Sequence, residues 1–128
     1  MIDHLGISVR NHAESRAFYL AALAPLGIGV VMTVSKEESG APSDHTGFGS
    51  QGHPYFWISE GKPDGHMHLA FKANTRTQVD EFYRAALAAG AKDNGPPGIR
   101  AHYHPNYYGA FVIDPNGVNL EAVCHAPA

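Results

Sequence analysis

Two histidines recur at matching places in a repeated sequence. His4-Leu5 and His68-Leu69 lie 64 positions apart, as do Phe18-Tyr19 and Phe82-Tyr83. The same offset relates Ala21-Ala22-Leu23-Ala24 to Ala85-Ala86-Leu87-Ala88, giving eight identities in 21 ungapped positions from His4 to Ala24. A neutral imidazole is the commonest metal ligand, so a repeat that puts two of them at related points of a pseudo-symmetric fold is a candidate metal site. A third residue, Glu121, lies in the apolar run Val118-Asn119-Leu120-Glu121-Ala122-Val123. A carboxylate there is costly to bury unless it is paired or metal-bound.

The elements that must position these groups follow from periodicity. Residues 2–9 read as a strand with Leu5, Ile7 and Val9 on one face and His4, Gly6 and Ser8 on the other. An amphipathic helix is expected from about residue 13 to 24, stopped by Pro25 and Gly27. Strands are expected over 29–34, 46–49 and 55–59, with a polar loop over 36–43 and a turn at Gln51-Gly52. After a short linker, Glu60-Gly61-Lys62-Pro63-Asp64-Gly65, the order repeats: strand 66–71 and helix 76–89 ending at Gly90. A strand near Ala91 then precedes the breaker cluster Asn94-Gly95-Pro96-Pro97-Gly98. Strands 107–113 and 118–124 flank Asp114-Pro115-Asn116-Gly117, where proline presets a turn and Asn-Gly is expected to supply positive φ. Asn11-x-x-Glu14 and Thr75-x-x-Gln78, again 64 apart, both read as capping boxes. Each module is therefore βαβββ. Strand parity puts His4, His68 and Glu121 on faces opposite the helices, where a curved sheet would enclose them in a cup.

Composition narrows the partners. At 128 residues the chain suits one domain, 1–128, with module one over 1–60 and module two over 65–125. A formal net charge of −3 argues against nucleic acid or an anionic membrane surface. There is no apolar run of membrane-spanning length, and the opening residues lack the basic and apolar regions of a signal peptide, which points to a cytoplasmic protein. The single cysteine, Cys124, has helix-facing parity and reads as inert core.

His4-Leu5-Gly6-Ile7, the helix with Ser15-Arg16-Ala17-Phe18-Tyr19, His68-Leu69-Ala70-Phe71, and Asp114-Pro115-Asn116-Gly117-Val118-Asn119-Leu120-Glu121 resemble the vicinal oxygen chelate superfamily, which contains glyoxalase I, fosfomycin-resistance thiol transferases, extradiol dioxygenases and bleomycin-binding proteins. The resemblance covers the whole chain. It implies an α+β fold of two tandem βαβββ modules forming a cup-shaped, mostly antiparallel eight-stranded sheet with helices outside. It also implies a homodimer and a divalent metal (Zn, Mn, Fe(II) or Ni) on His4, His68 and Glu121. The repeat offset maps Glu121 onto Trp57, where glyoxalase I would carry a second glutamate. Indole cannot ligate a metal through its donor-only N–H, which counts against the standard glyoxalase reaction. Extradiol relatives would have tyrosine where this chain has Phe111, and a fosfomycin-type enzyme would have more basic residues around the cup. The expected function is bidentate oxygen chelation of a small, partly apolar substrate to the metal, for isomerase, lyase, thiol-addition or dioxygenase chemistry. The opposing class is a non-catalytic dimer of the bleomycin-resistance type that sequesters an apolar ligand.

Other polar residues have more than one reading. His66 shares a strand face with His68 and is an alternative metal ligand, a proton carrier or a cup-lining polar residue. His102 and His104, in a His/Tyr-rich segment with Tyr107 and Tyr108, would act as acid or base in a lid, or pack at a subunit interface. Trp57, Tyr107 and Phe111 would form walls of the substrate cup. Gly47-Phe48-Gly49-Ser50-Gln51-Gly52 matches the dinucleotide-binding spacing, but it runs into His53-Pro54 and a strand instead of opening a helix. Its glycines fit a hairpin better.

Overall fold

The computed structural model describes residues 1–63 and 65–128; Asp64 of the expected linker lies outside the described residues. The chain is α+β, with eight strands and three helices in two βαβββ modules. In module one, β1 (Leu5–Val9) leads to α1 (His12–Leu23), then β2 (Gly29–Val34), the short α2 (Lys36–Ser39), β3 (His45–Ser50) and β4 (His53–Glu60). Module two has β5 (His68–Lys72), α3 (Arg76–Ala88), β6 (Lys92–Ile99), β7 (Tyr108–Ile113) and β8 (Asn119–Cys124).

Hydrogen bonding divides the strands into two four-stranded mixed sheets, ordered β1-β4-β3-β2 and β5-β8-β7-β6. The opening strand of each module runs parallel to its last strand, and the other pairings are antiparallel. The repeat survives in the register. Gly6 pairs with Trp57 and Gly47 with Trp57, while Ala70 pairs with Glu121 and Phe111 with Glu121.

Both main helices start where the sequence expects. Asn11 accepts from the Glu14 backbone N–H without the return bond from the Glu14 side chain, so its expected capping box is half-formed, whereas Thr75 makes a complete one with Gln78. Their inner stripes, Phe18, Tyr19, Ala22 and Leu23 on α1 and Val79, Phe82 and Ala86 on α3, are buried with Phe48, Phe56, Ile58, Val112 and Leu120 of the strands in one apolar cluster. Phe56 of β4 meets Phe71 of β5 edge to face, with ring centroids 5.4 Å apart, so the core runs across the boundary between the sheets.

Three local expectations are corrected. Residues 36–39 form a helical turn in place of a loop, because Ser35 and Glu38 make a capping box of their own. The Gly/Pro cluster at 94–98 does not end a strand: β6 runs through it. As an edge strand paired only with β7, and bulged on both sides of Gly95, it needs no N–H from Pro96 or Pro97. In the β7–β8 turn only Gly117 takes positive φ, at 90°; Asn116 does not. The Gly117 N–H donates to the Asp114 carbonyl at 3.1 Å, making a type I turn closed by a glycine bulge. The sequence with dinucleotide-binding spacing is the β3–β4 hairpin, where a Cβ at Gly49 would stand 1.8 Å from the His53 carbonyl oxygen.

The β7–β8 turn also fastens module two to α1. Asp114, 4% exposed, accepts from the Asn116 and Val118 backbone N–H groups through Oδ1 and from the Tyr19 hydroxyl through Oδ2. Asn116 donates to Ser15 Oγ at 2.9 Å and accepts from the Arg10 N–H at 2.9 Å. Burial, followed by the Asp114 charge and the hydrogen bond to it, raises the Tyr19 pKa well above its ordinary value of 10.0. Tyr19→Phe leaves Asp114 short of a donor, and urea denaturation is expected to show a loss of about 1–3 kcal/mol. Because the folded-state value is raised, the Tyr19 contribution is complete below pH 10.0 and lost as pH rises toward the folded value. Thermal midpoints should therefore fall more steeply above pH 10 in the wild type than in Tyr19→Phe.

Candidate metal and substrate site

Glu121 is the centre of the site. It lies on β8 between Leu120 and Ala122, which face the helices, and it is itself 1% exposed. Its two oxygens have different partners. Oε1 is 2.9 Å from Nε2 of His68, and Oε2 accepts from the hydroxyl of Tyr107. Burial, with the hydrogen bond to Glu121 and its charge, raises the Tyr107 phenol pKa far above the ordinary range, so the hydroxyl remains a donor. Space for this contact comes from Gly109, where a Cβ would sit 3.3 Å from both Glu121 Oε2 and Tyr107 Cε1.

Around this pair stands an aromatic group. The Phe111 ring is 6.2 Å from that of His68 and carries the Arg100 guanidinium over its face at 5.4 Å. Tyr107 meets Tyr103 at 4.7 Å and lies edge-on to His104 at 5.6 Å and to His125 at 5.3 Å. His102 stacks at 4.2 Å on Tyr103, at the outer end of the group. His104 Nε2 is 2.8 Å from His125 Nδ1, and the Asn106 N–H donates to His104 Nδ1.

The structure thus brings together His68, Glu121, Tyr107 and Phe111, with His104 beside them. It does not bring in three other expected residues. His4 is exposed and its Nδ1 contacts Asp3 Oδ2 at 2.8 Å, an interaction that lowers the Asp3 pKa. Among the described residues, no three His, Cys, Asp or Glu side chains are placed to hold one ion. His66 is exposed and lines a separate cavity of about 560 Å³ with Arg10, Lys62 and the Asn116-Gly117 turn. Trp57 lies over its own sheet: a Cβ at Gly47 would be 2.9 Å from the six-membered edge of the indole.

One residue of the group escaped the sequence reading altogether. His125 follows the end of β8, and carrying the alternation of Glu121 and Val123 one step further would have placed it on their face.

The donor geometry fits a divalent ion at His68 and Glu121. Two ligand atoms bound at about 2.1 Å stand about 3.0 Å apart at octahedral right angles and about 3.4 Å apart at a tetrahedral centre, against a hydrogen-bonded 2.9 Å between His68 Nε2 and Glu121 Oε1.

Residues 1–122 match the Glyoxalase/Bleomycin resistance protein/Dioxygenase superfamily, and the chain belongs to it. It is similar to the crystal structure of a glyoxalase/bleomycin resistance protein from Albidiferax ferrireducens, at 29% identity and a TM-score of 0.78, with 99% of each chain covered. A glyoxalase/bleomycin resistance protein/dioxygenase family enzyme from Burkholderia phytofirmans shares the fold at 20% identity and a TM-score of 0.70, over 97% of this chain and 98% of that one. So does a variant of the fosfomycin resistance protein FosX from Listeria monocytogenes, solved with Mn(II) and a dihydroxypropylphosphonic acid, at 17% identity and a TM-score of 0.68, over 96% of this chain and 88% of that one. No functionally curated protein matches the sequence.

The tight space at Gly109 makes a direct prediction. Its φ is not positive, so Gly109→Ala tests crowding without backbone strain. Pushing Tyr107 off Glu121 should lower unfolding stability by about 1–3 kcal/mol in urea, and an unchanged midpoint would mean that the phenol–carboxylate contact is easily remade.

Proposed function

We propose that this chain is a metal-dependent enzyme that chelates two neighbouring oxygens of a small, partly apolar substrate. Each metal is held by His68 and Glu121 of one chain and by His4 of a second copy. The observation that carries the reading is the His68–Glu121 contact, a buried carboxylate and an imidazole spaced like adjacent ligands of one ion. The second copy follows from the placement of His4, which the repeat makes equivalent to His68 but which, among the described residues, joins no set of three side chains placed to hold one ion.

A divalent ion bound there supplies Lewis acidity to negative charge developing on substrate oxygens. The rest is work for the side chains. Tyr107 fixes the carboxylate, and Phe111 provides an apolar wall, with Trp57 of the second copy expected opposite. To ligate, His68 must present Nε2 without the proton that the contact with Glu121 otherwise uses, so metal and that proton compete for the same nitrogen. Of the histidines considered as acid–base groups, His104 has both ring nitrogens engaged and His66 faces a different cavity. That leaves His102, which packs against Tyr103, for the role.

The test is metal content and complementation. Protein purified without chelator should carry stoichiometric metal, and His68→Ala should lose it while His66→Ala should not. His4→Ala and His68→Ala chains should each bind poorly alone. When co-refolded they should recover about a quarter of wild-type capacity, because random pairing makes half the dimers mixed and each mixed dimer has one intact site. A mixture no better than its components would remove the shared site. A wild type that stays free of metal when Zn²⁺, Mn²⁺ or Fe²⁺ is added in excess would leave the ligand-sequestering dimer as the function.

A further inference from the structure

The His104–His125 pair has a fixed sense. The Asn106 N–H points at His104 Nδ1, 3.0 Å away, so that nitrogen must offer a lone pair and the neutral ring must carry its proton on Nε2. His104 Nε2–H then donates to His125 Nδ1 at 2.8 Å, which places the His125 proton on Nε2. In this state His104 has no free lone pair. A metal bound through His104 Nε2 would force the proton onto Nδ1, against the Asn106 N–H, so the pair is unsuited to be a second metal site.

What the pair does hold is Tyr107. The two imidazoles lie edge to edge, with centroids 5.0 Å apart and 29° between their planes, and each meets the Tyr107 ring near the perpendicular, at 71° and 83°. His125 extends from the same strand as Glu121, whereas His104 belongs to the loop before β7. Their hydrogen bond therefore ties the loop to β8, and both rings pack against the phenol whose hydroxyl reaches Glu121 Oε2.

We infer that His104 and His125 are positioning residues: their mutual hydrogen bond clamps Tyr107 onto one oxygen of Glu121 and so leaves the other, beside His68, as the oxygen that meets a metal. The metal half of this inference rests on the function proposed above; the clamp itself does not. Groups that fix a metal-ligating carboxylate are worth about 10–100-fold in affinity when lost.

The test is a double-mutant cycle between the clamp and the phenol, read in two ways. His104→Phe keeps a ring against Tyr107 but removes the Nε2–H, Tyr107→Phe removes the hydroxyl, and His104→Gln offers an amide N–H in its place. Zn²⁺ affinity should fall about tenfold or more in Tyr107→Phe and in His104→Phe. The double variant should be no weaker than Tyr107→Phe alone, and His104→Gln should recover most of the loss. The same cycle on unfolding of metal-free protein should show the same non-additivity. Imidazole ¹⁵N shifts should place the His104 proton on Nε2. Additive effects in both cycles, an unaltered His104→Phe, or a His104 proton on Nδ1 would each overturn the clamp. If wild-type protein binds no Zn²⁺, the proposed function fails, and the unfolding cycle and the ¹⁵N shifts still decide the clamp.

Discussion

A carboxylate with 1% of its surface in water, on an inner strand of a sheet, constrains everything around it. Unpaired, Glu121 would cost several kcal/mol or be forced to neutralise. Its neighbours in register are accordingly small or flat: Ala70 on β5 and Phe111 on β7 lie directly opposite, and Gly109 leaves the gap through which Tyr107 reaches it. A phenol donates one hydrogen bond without adding charge, and an imidazole donates another that it can exchange for a metal bond. The choice of partners keeps the buried carboxylate satisfied by hydrogen bonds on both oxygens.

The β7–β8 hairpin carries a second duty. Its strand holds Glu121, and its turn holds Asp114, tied to Tyr19 of module one. The two buried carboxylates of this hairpin are each met by a tyrosine hydroxyl, one from the other module and one from the adjoining loop. Through Asp114, Asn116, Ser15 and Arg10 the turn is fixed relative to α1 and β1. The position of the candidate site within the molecule is thus set by polar contacts at one end of the hairpin, and its chemistry by polar contacts along it.

Much of this was legible in the sequence because periodicity and repetition act locally. The alternation in 66–71 and 118–124 separates the helix-facing residues from His68 and Glu121, and the 64-residue offset reappears as equivalent strand registers. Capping residues mark both long helices, whereas the Ser35–Glu38 box sits in a polar, glycine- and proline-containing stretch whose composition is that of a loop. Prolines in β6 misled because proline breaks a strand only where an N–H is needed, and edge position is a tertiary property. The partner of Tyr107 was out of reach for a similar reason. Fourteen positions separate it from Glu121, and the reach depends on Gly109 lacking a side chain.

The two modules diverge most where they would otherwise match. Glu121 and Phe111 pair across β8 and β7, and their equivalents are Trp57 and Gly47 across β4 and β3. In module two the large flat residue stands on the neighbouring strand and the strand next to the opening one carries the ligand-type oxygen. In module one the large residue has moved to that strand, and its indole fills the space that glycine vacates. The repeated histidines therefore face unequal surroundings: His68 meets a buried carboxylate, and His4 meets the exposed carboxylate of Asp3, which His53 also approaches. A symmetric pair of modules would offer two equivalent half-sites. This chain has one rich in donors and one rich in apolar surface, which is the asymmetry needed if the first is to hold an ion and the second is to cover what binds to it.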